Sequence, residues 1–112
     1  MGATKTDLFS VDQNVLAEFA KVLGHPARIA ILQLLSAKDQ CINGTLVDEI
    51  GLAQATISQH LKALKEIGLV KGSIEGVSVS YCIDRDKVLI LKNQFDLLFE
   101  ELQKPSISSE CC

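Results

Sequence analysis

Residues 54–70 read QATISQHLKALKEIGLV, and the rest of the chain can be interpreted around this segment. Ile57, Leu61 and Leu64 have the spacing of the apolar face of an amphipathic helix, and Gly68 favours a helix end. Short polar side chains begin the opposite face, as in helices that read base edges in the major groove of DNA. An ordinary surface helix can have the same pattern, so the flanking segments must decide between the two interpretations.

The composition indicates one small domain. The chain has 112 residues, 47% of them hydrophobic, and a formal net charge of -3 at pH 7. A domain of this size has a poor ratio of volume to surface, so a dimer would bury useful additional area. The acidic charge argues against nucleic acid, but Lys62, Lys65 and Lys71 against Glu66 alone make segment 54–74 locally basic.

The chain has no segment that predicts export or membrane insertion. No apolar run is long enough to span a bilayer, and the N-terminus lacks the apolar core of a signal peptide. The sequence therefore predicts a cytoplasmic protein with no membrane partner. Thiols are reduced in that compartment, so we expect the four cysteines to be free or to act as ligands. Because no catalytic constellation is present, we also predict that the protein is not an enzyme.

The N-terminal half is predicted to be helical after a flexible arm at 1–10. Apolar residues at helical spacing predict a helix over 11–23, and Pro26 suits the first turn of a second helix over about 26–35. The second helix is apolar nearly all round, which predicts a central position in the core. A short helix should then end at Gly51, just before the helix that begins at residue 54.

The C-terminal half begins with a predicted hairpin over 69–83. Apolar residues alternate there with a period of two, and Gly76 marks the turn. A last helix is predicted over 85–103, followed by a flexible tail at 104–112 that ends in two cysteines. Two short helices followed by a hairpin form a winged helix-turn-helix, so residues 11–103 are predicted to be one mainly α domain with a β-hairpin wing.

Three segments give the chain a resemblance to the ArsR/SmtB family of winged-helix repressors: LGHPARIAILQLL at 23–35, GLAQATISQHLKALKEIGLV at 51–70 and VSVSYCID at 77–84. The resemblance implies a homodimer that represses an operon and leaves its operator when a metal or metalloid binds. Two positions depart from the family pattern. Ala53 stands where the family usually has a capping Ser, and Glu75 lies near the wing tip, where Arg or Lys is commoner.

The outward face of the helix beginning at residue 54 supplies the predicted DNA contacts. Thr56, Ser58 and Gln59 are expected to read bases, whereas Lys62 and Lys65 are expected to hold phosphates. A two-fold symmetric dimer would place two such helices about one helical turn apart, so the predicted partner is double-stranded DNA with an inverted repeat. The last helix has more apolar surface than one core needs, and the predicted dimerisation residues are Val15, Phe19, Val88, Leu91, Phe95, Leu98 and Leu102.

The cysteines are the best candidates for an inducer site. The resemblance places Cys41 close to the thiolates of arsenic-sensing relatives, although CINGTL has one cysteine where their C-V-C-D-L motif has two. Together with Cys111 and Cys112 it would supply three thiolates, the number that As(III) or Sb(III) prefers. The alternative is a buried Cys41 with a functionless tail. Cys82, on the predicted wing strand, is interpreted as a small packing residue.

The histidines argue against the family's zinc site at the dimer helices, because the last helix contains none. His25 is expected to shape a turn, and His60 to be packed and hydrogen-bonded. Two alternative functions remain at this point. The same fold could be a repressor that senses oxidants or persulfides through its thiols, or a winged-helix module that binds proteins and not DNA.

Overall fold

The computed structural model describes residues 6–38, 49–75 and 78–105. It contains four long helices and one antiparallel hairpin: α1 (Val11–Leu23), α2 (Pro26–Lys38), α3 (Gln54–Glu66), β1 (Val70–Glu75), β2 (Ser78–Ile83) and α4 (Arg85–Gln103). The bounds of α1 and α4 are the predicted ones. Helix α2 continues past residue 35 to Lys38.

Local side-chain chemistry explains where two of the helices begin. Ser10 accepts a hydrogen bond from the backbone N–H of Gln13 at 3.0 Å, and the Gln13 side chain accepts one from Ser10 N–H at 2.9 Å. Asp84 caps α4 by accepting from Lys87 N–H at 3.2 Å. Ala53 precedes α3 without a side-chain cap, so α3 lacks one stabilising contact that Ser would supply.

The hairpin is tied at its base to α3 and α4. Val70 lies opposite Ile83 in the antiparallel register. Leu69 joins the three elements, because its N–H donates to the carbonyl of Leu64 at 3.0 Å and its carbonyl accepts from Asp84 N–H at 2.9 Å. The position of the wing relative to α3 is therefore set by backbone hydrogen bonds as well as by packing.

The core lies where α2, α3 and the hairpin base meet, with α1 and α4 closing it. Its buried apolar residues are Phe19, Val22, Ile31, Leu35, Ile57, Leu61, Leu64, Leu69, Val70, Tyr81 and Leu91. The central position predicted for α2 agrees with Ile31 and Leu35. Ile29 is the exception and is exposed, because it lies about half a turn round the helix from Ile31.

Several predicted features lie outside the described residues. They include most of the short helix before Gly51, of which Glu49 and Ile50 are described and helical, the turn at Gly76, and residues 106–112 of the tail. Of the predicted arm, Thr6–Leu8 forms a 3-10 turn just before the Ser10 cap. Within the described part of the chain, no helix is both long and apolar enough to cross a membrane.

Candidate nucleic-acid interface

Helix α3 has one buried apolar face and one polar face. Ile57, Leu61 and Leu64 are buried, whereas Gln59 and Lys62 are exposed. Thr56 and Ser58 are half-buried at the start of the helix, and Ser58 Oγ accepts a hydrogen bond from Gln54 Nε2 at 3.1 Å. The structure therefore brings the predicted base-reading side chains together on the N-terminal half of a helix whose apolar face is packed in the core.

The two lysines of α3 have different surroundings. Lys65 Nζ donates to the carbonyl of Gly72 in β1 at 2.7 Å, which connects the C-terminal half of α3 to the wing. Lys62 lies one turn earlier and is exposed. The sequence pattern treats both as phosphate contacts, and the structure adds a positioning contact for Lys65 that the pattern could not indicate.

A buried polar group lies behind the polar face of α3. Arg28 Nε donates to His60 Nδ1 at 3.0 Å, and Arg28 Nη1 donates to the carbonyl of Val22 at 3.2 Å. The predicted packed and hydrogen-bonded role of His60 is confirmed. Its partner was missed, because 32 positions separate Arg28 from His60 and no local pattern relates them.

The predicted dimerisation residues divide into core and surface positions. Phe19 and Leu91 are 5% and 8% exposed, so they have little surface left for a partner to cover. Phe95 and Leu98 are half-buried, while Val15, Val88 and Leu102 are exposed. Helix α4 also exposes four apolar residues that were not among the predicted set: Leu89, Ile90, Leu97 and Phe99.

The cysteines are only partly described. Cys41, Cys111 and Cys112 lie outside the described residues, so their predicted site stays a prediction. Cys82 is disulfide-bonded. The interpretation of Cys82 as a simple packing residue is therefore wrong, as is the expectation that no cysteine forms a disulfide. Among residues 6–38, 49–75 and 78–105, no three His, Cys, Asp or Glu side chains are grouped so that they could hold a metal ion.

Comparison with known proteins gives matches to transcriptional regulators. Residues 25–71 match the family model described as "Bacterial regulatory protein, arsR family". An uncharacterised helix-turn-helix-type transcriptional regulator of Mycobacterium tuberculosis, Rv0081, is 40% identical over 67 residues, which are 60% of this chain and 59% of that protein. The repressor SmtB of the same organism is 41% identical over 64 residues, 57% of this chain and 47% of that repressor. The chain thus spans less than two thirds of these relatives.

Solved structures agree with the sequence matches. The crystal structure of Rv0081 superposes with a TM-score of 0.61 at 33% identity and covers 84% of this chain and 95% of that one. The solution structure of a homodimeric winged helix-turn-helix DNA-binding domain from Mycobacterium bovis has a TM-score of 0.61 at 25% identity, covering 91% and 93%. The predicted winged helix-turn-helix fold is therefore confirmed.

Proposed function

The chain belongs to the arsR family of bacterial regulatory proteins, and from this premise we propose that it is a DNA-binding transcriptional repressor that acts as a homodimer. We propose further that As(III) or Sb(III), bound by the thiolates of Cys41, Cys111 and Cys112, releases it from an inverted-repeat operator. The observation that carries the DNA-binding role is the exposed polar face of α3, which stands over a buried apolar face and beside a hairpin tied to the same helix.

In the proposed complex, Gln59 contacts bases and Lys62 contacts phosphates. Gln59 is exposed and has an amide that can form two hydrogen bonds with adenine in the major groove. Lys62 is exposed on the same helix and carries a charge that attracts phosphate from any sequence. The homodimeric state of the Mycobacterium bovis domain supports two such helices acting on two half-sites.

Substitutions at these two positions should have different effects on binding. Gln59→Ala should weaken operator binding by about 1–3 kcal/mol and relax the base preference at one position of each half-site. Lys62→Ala should weaken binding to all duplexes and reduce its salt dependence by about one charge. Fluorescence anisotropy over a salt series measures the affinity for DNA and its salt dependence. Lys92→Ala, which removes an equal charge from α4, is the matched control and should bind like the wild type.

Unchanged affinity and base preference in Gln59→Ala would mean that the face of α3 is wrongly assigned. If the reduced, ion-free protein bound no duplex at any salt concentration, the alternative role as a protein-binding module would become the better one.

The proposed inducer is chosen for the chemistry of its donors. As(III) and Sb(III) bind three thiolates in a pyramid, and Cys41 with the vicinal pair Cys111 and Cys112 supplies three. The tail follows α4, and the segment with Cys41 precedes the helix-turn-helix, so an ion that joins them would connect the proposed dimer helix to the DNA-reading part. Release requires tighter binding of the ion to the DNA-free state, with a typical coupling of about 1–3 kcal/mol.

Anaerobic titration with arsenite tests the inducer. The fully reduced wild type should develop sulfur-to-arsenic ultraviolet absorption that saturates at one ion per subunit and should leave DNA over the same range. Cys41→Ser, or deletion of residues 111–112, should abolish both effects. Binding should weaken in acid, because each thiol must lose its proton. Cys82→Ser is the control for thiol loss and should respond as the wild type does.

A tail-deleted protein that arsenite still released from DNA would place the site elsewhere. A Cys82→Ser variant that failed to respond would make Cys82 one of the ligands.

The disulfide at Cys82 favours a second candidate function, thiol-based redox sensing. Two thiols would join with the loss of two electrons and two protons to an oxidant such as hydrogen peroxide. Cys82 pairs with Lys71 across the hairpin, so oxidation there would act on the wing. Operator release by peroxide without arsenite, lost in Cys82→Ser, would support this function over the first.

A further inference from the structure

The contact between Arg28 and His60 joins α3 to the corner between α1 and α2. Arg28 lies in the first turn of α2 and reaches the carbonyl of Val22 near the end of α1 as well as His60 in the middle of α3. His60 is only 7% exposed. Because His60 is buried, water cannot easily take the place of Arg28 as its hydrogen-bond partner. The hydrogen bond therefore helps to set the position of α3 relative to α2, in addition to stabilising the fold.

This hydrogen bond requires a neutral His60. An arginine side chain stays protonated throughout the pH range of a folded protein, so Arg28 can only donate. Nδ1 of His60 must therefore carry a lone pair, and the single ring proton of the neutral imidazole lies on Nε2. A second proton would remove the acceptor and place two cations in contact.

The groups that face His60 all oppose that second proton. The ring centroid of His25, in the turn between α1 and α2, lies 4.4 Å from the ring centroid of His60. Arg28 approaches from α2. Its Nη1 also donates to the carbonyl of Val22 in α1, which is uncharged. Burial lowers the pKa of His60 from its usual value, and the charges of His25 and Arg28 lower it further. His60 is therefore neutral at neutral pH and gains its proton only in acid.

We propose that Arg28 and His60 form a positioning pair for the DNA-reading face of α3, and that protonation of His60 releases α3 and weakens operator binding. The inference rests on the proposed DNA binding and adds to it a response to acid that needs no inducer ion. Gln59 directly precedes His60, so a shift of His60 changes the direction of the side chain proposed to read bases.

The expected response to acid is the reverse of a simple charge effect. Each added proton makes the protein more positive and should strengthen its binding to phosphates. Loss of the positioning pair should instead weaken binding to a selected duplex, on the order of ten-fold. Stability should change in the same direction. Because the folded-state pKa of His60 is depressed, its contribution is complete above the unfolded value of 6.5 and is lost as the pH falls towards the folded-state pKa.

Binding of the reduced full chain to DNA at several pH values tests the pair. The probe is a duplex of about 30 base pairs, selected from a random pool by the wild type at about pH 8 and long enough for two half-sites. The wild type should bind more weakly as the pH falls from about 8 into the acid range, and the loss should reach about ten-fold only when the pH is about one unit below the depressed pKa of His60. Circular dichroism at each pH value checks that the protein stays folded.

Two variants serve as matched comparisons. His60→Asn keeps an acceptor near the position of Nδ1 but cannot be protonated in this range, so its affinity should not fall between about pH 8 and the acid range, whatever its value at about pH 8. His25→Asn keeps an acceptor for the N–H of Ala27, which bonds His25 Nδ1 at 3.3 Å. It should retain the acid loss, with a midpoint at higher pH because one neighbouring charge is gone.

Nitrogen NMR of the wild type gives a readout that does not depend on the folding of a variant. The Nδ1 signal of His60 should report protonation over the same pH range in which binding falls. An equal acid loss in His60→Asn, tighter wild-type binding in acid, or a His60 that stays neutral while binding falls would each overturn the positioning role. A wild type that binds no duplex at about pH 8 would overturn the proposed DNA binding itself, so the two failures are distinguishable.

Discussion

Replacing Gly72 with alanine is expected to open the hairpin and to lower the free energy of unfolding by about 3 kcal/mol or more. Gly72 has a φ of 151°, and a Cβ built on it would lie 2.0 Å from the carbonyl oxygen of Ser80 and 2.8 Å from Cα of Tyr81. Both are backbone atoms of the opposite strand. The contact can therefore be relieved only if β1 and β2 move apart.

The damage should extend from the hairpin to α3. Tyr81 is buried opposite Gly72, and the Gly72 carbonyl is the acceptor for Lys65 Nζ in α3. Denaturant unfolding followed by circular dichroism measures the loss of stability, and we expect weaker DNA binding by the folded fraction. Gly51→Ala is the matched control. Gly51 has a φ of 85° with no atom within 4 Å of a built Cβ, so only the backbone conformation is penalised, by about 1–2 kcal/mol. Equal losses in the two variants would show that the approach of Ser80 is not what requires glycine at position 72.

Replacing Phe99 with glutamate should convert the proposed dimer to a monomer and lower operator affinity by about 100-fold or more. Phe99 is 52% exposed on α4, beside Leu102 at 68%. The Phe99 ring also stacks on that of Phe95, with centroids 6.1 Å apart, which holds it in place at the surface. A charge there would be buried in the dimer without a partner. A monomer contacts only one half-site. It therefore loses the high effective concentration that a second, linked DNA-binding domain provides at the other half-site.

Sedimentation velocity at micromolar concentration measures the dimer, and anisotropy measures binding to the selected duplex. Gln33→Glu is the matched control, because it adds the same charge at an exposed position on α2. It should leave both the dimer and its DNA affinity unchanged. If Phe99→Glu remained a dimer with wild-type affinity, the interface would lie on another surface.

Local features of the chain predicted much of the fold and part of the candidate site. The helical spacing and the end signals of 11–23 and 85–103 lie within each segment, so the approximate bounds of both helices could be predicted, and they agree with the structure. The same holds for the two faces of α3, because Ile57, Leu61 and Leu64 must share one side of any helix that contains them. The polar face, including Gln59 and Lys62, follows from that geometry.

Which apolar residues of α4 face the core could not be predicted from their spacing. Leu91 packs inward and Phe99 remains exposed, although both belong to apolar stripes of the same helix. The difference depends on how α4 lies against α1 and the hairpin base, and no periodicity within α4 contains that information. The predicted dimer surface was therefore a mixture of core and surface positions.

The sequence by itself determined the order of the elements, the bounds of α1 and α4, and the polar face of α3, because propensity, capping and periodicity act over a few residues. Only the tertiary structure decided that Arg28 donates to His60 and that Lys65 donates to the carbonyl of Gly72. These contacts join different elements, and a side chain finds such a partner only after the elements have packed. The physical reason is that packing depends on the shape of the whole core, which no single segment specifies.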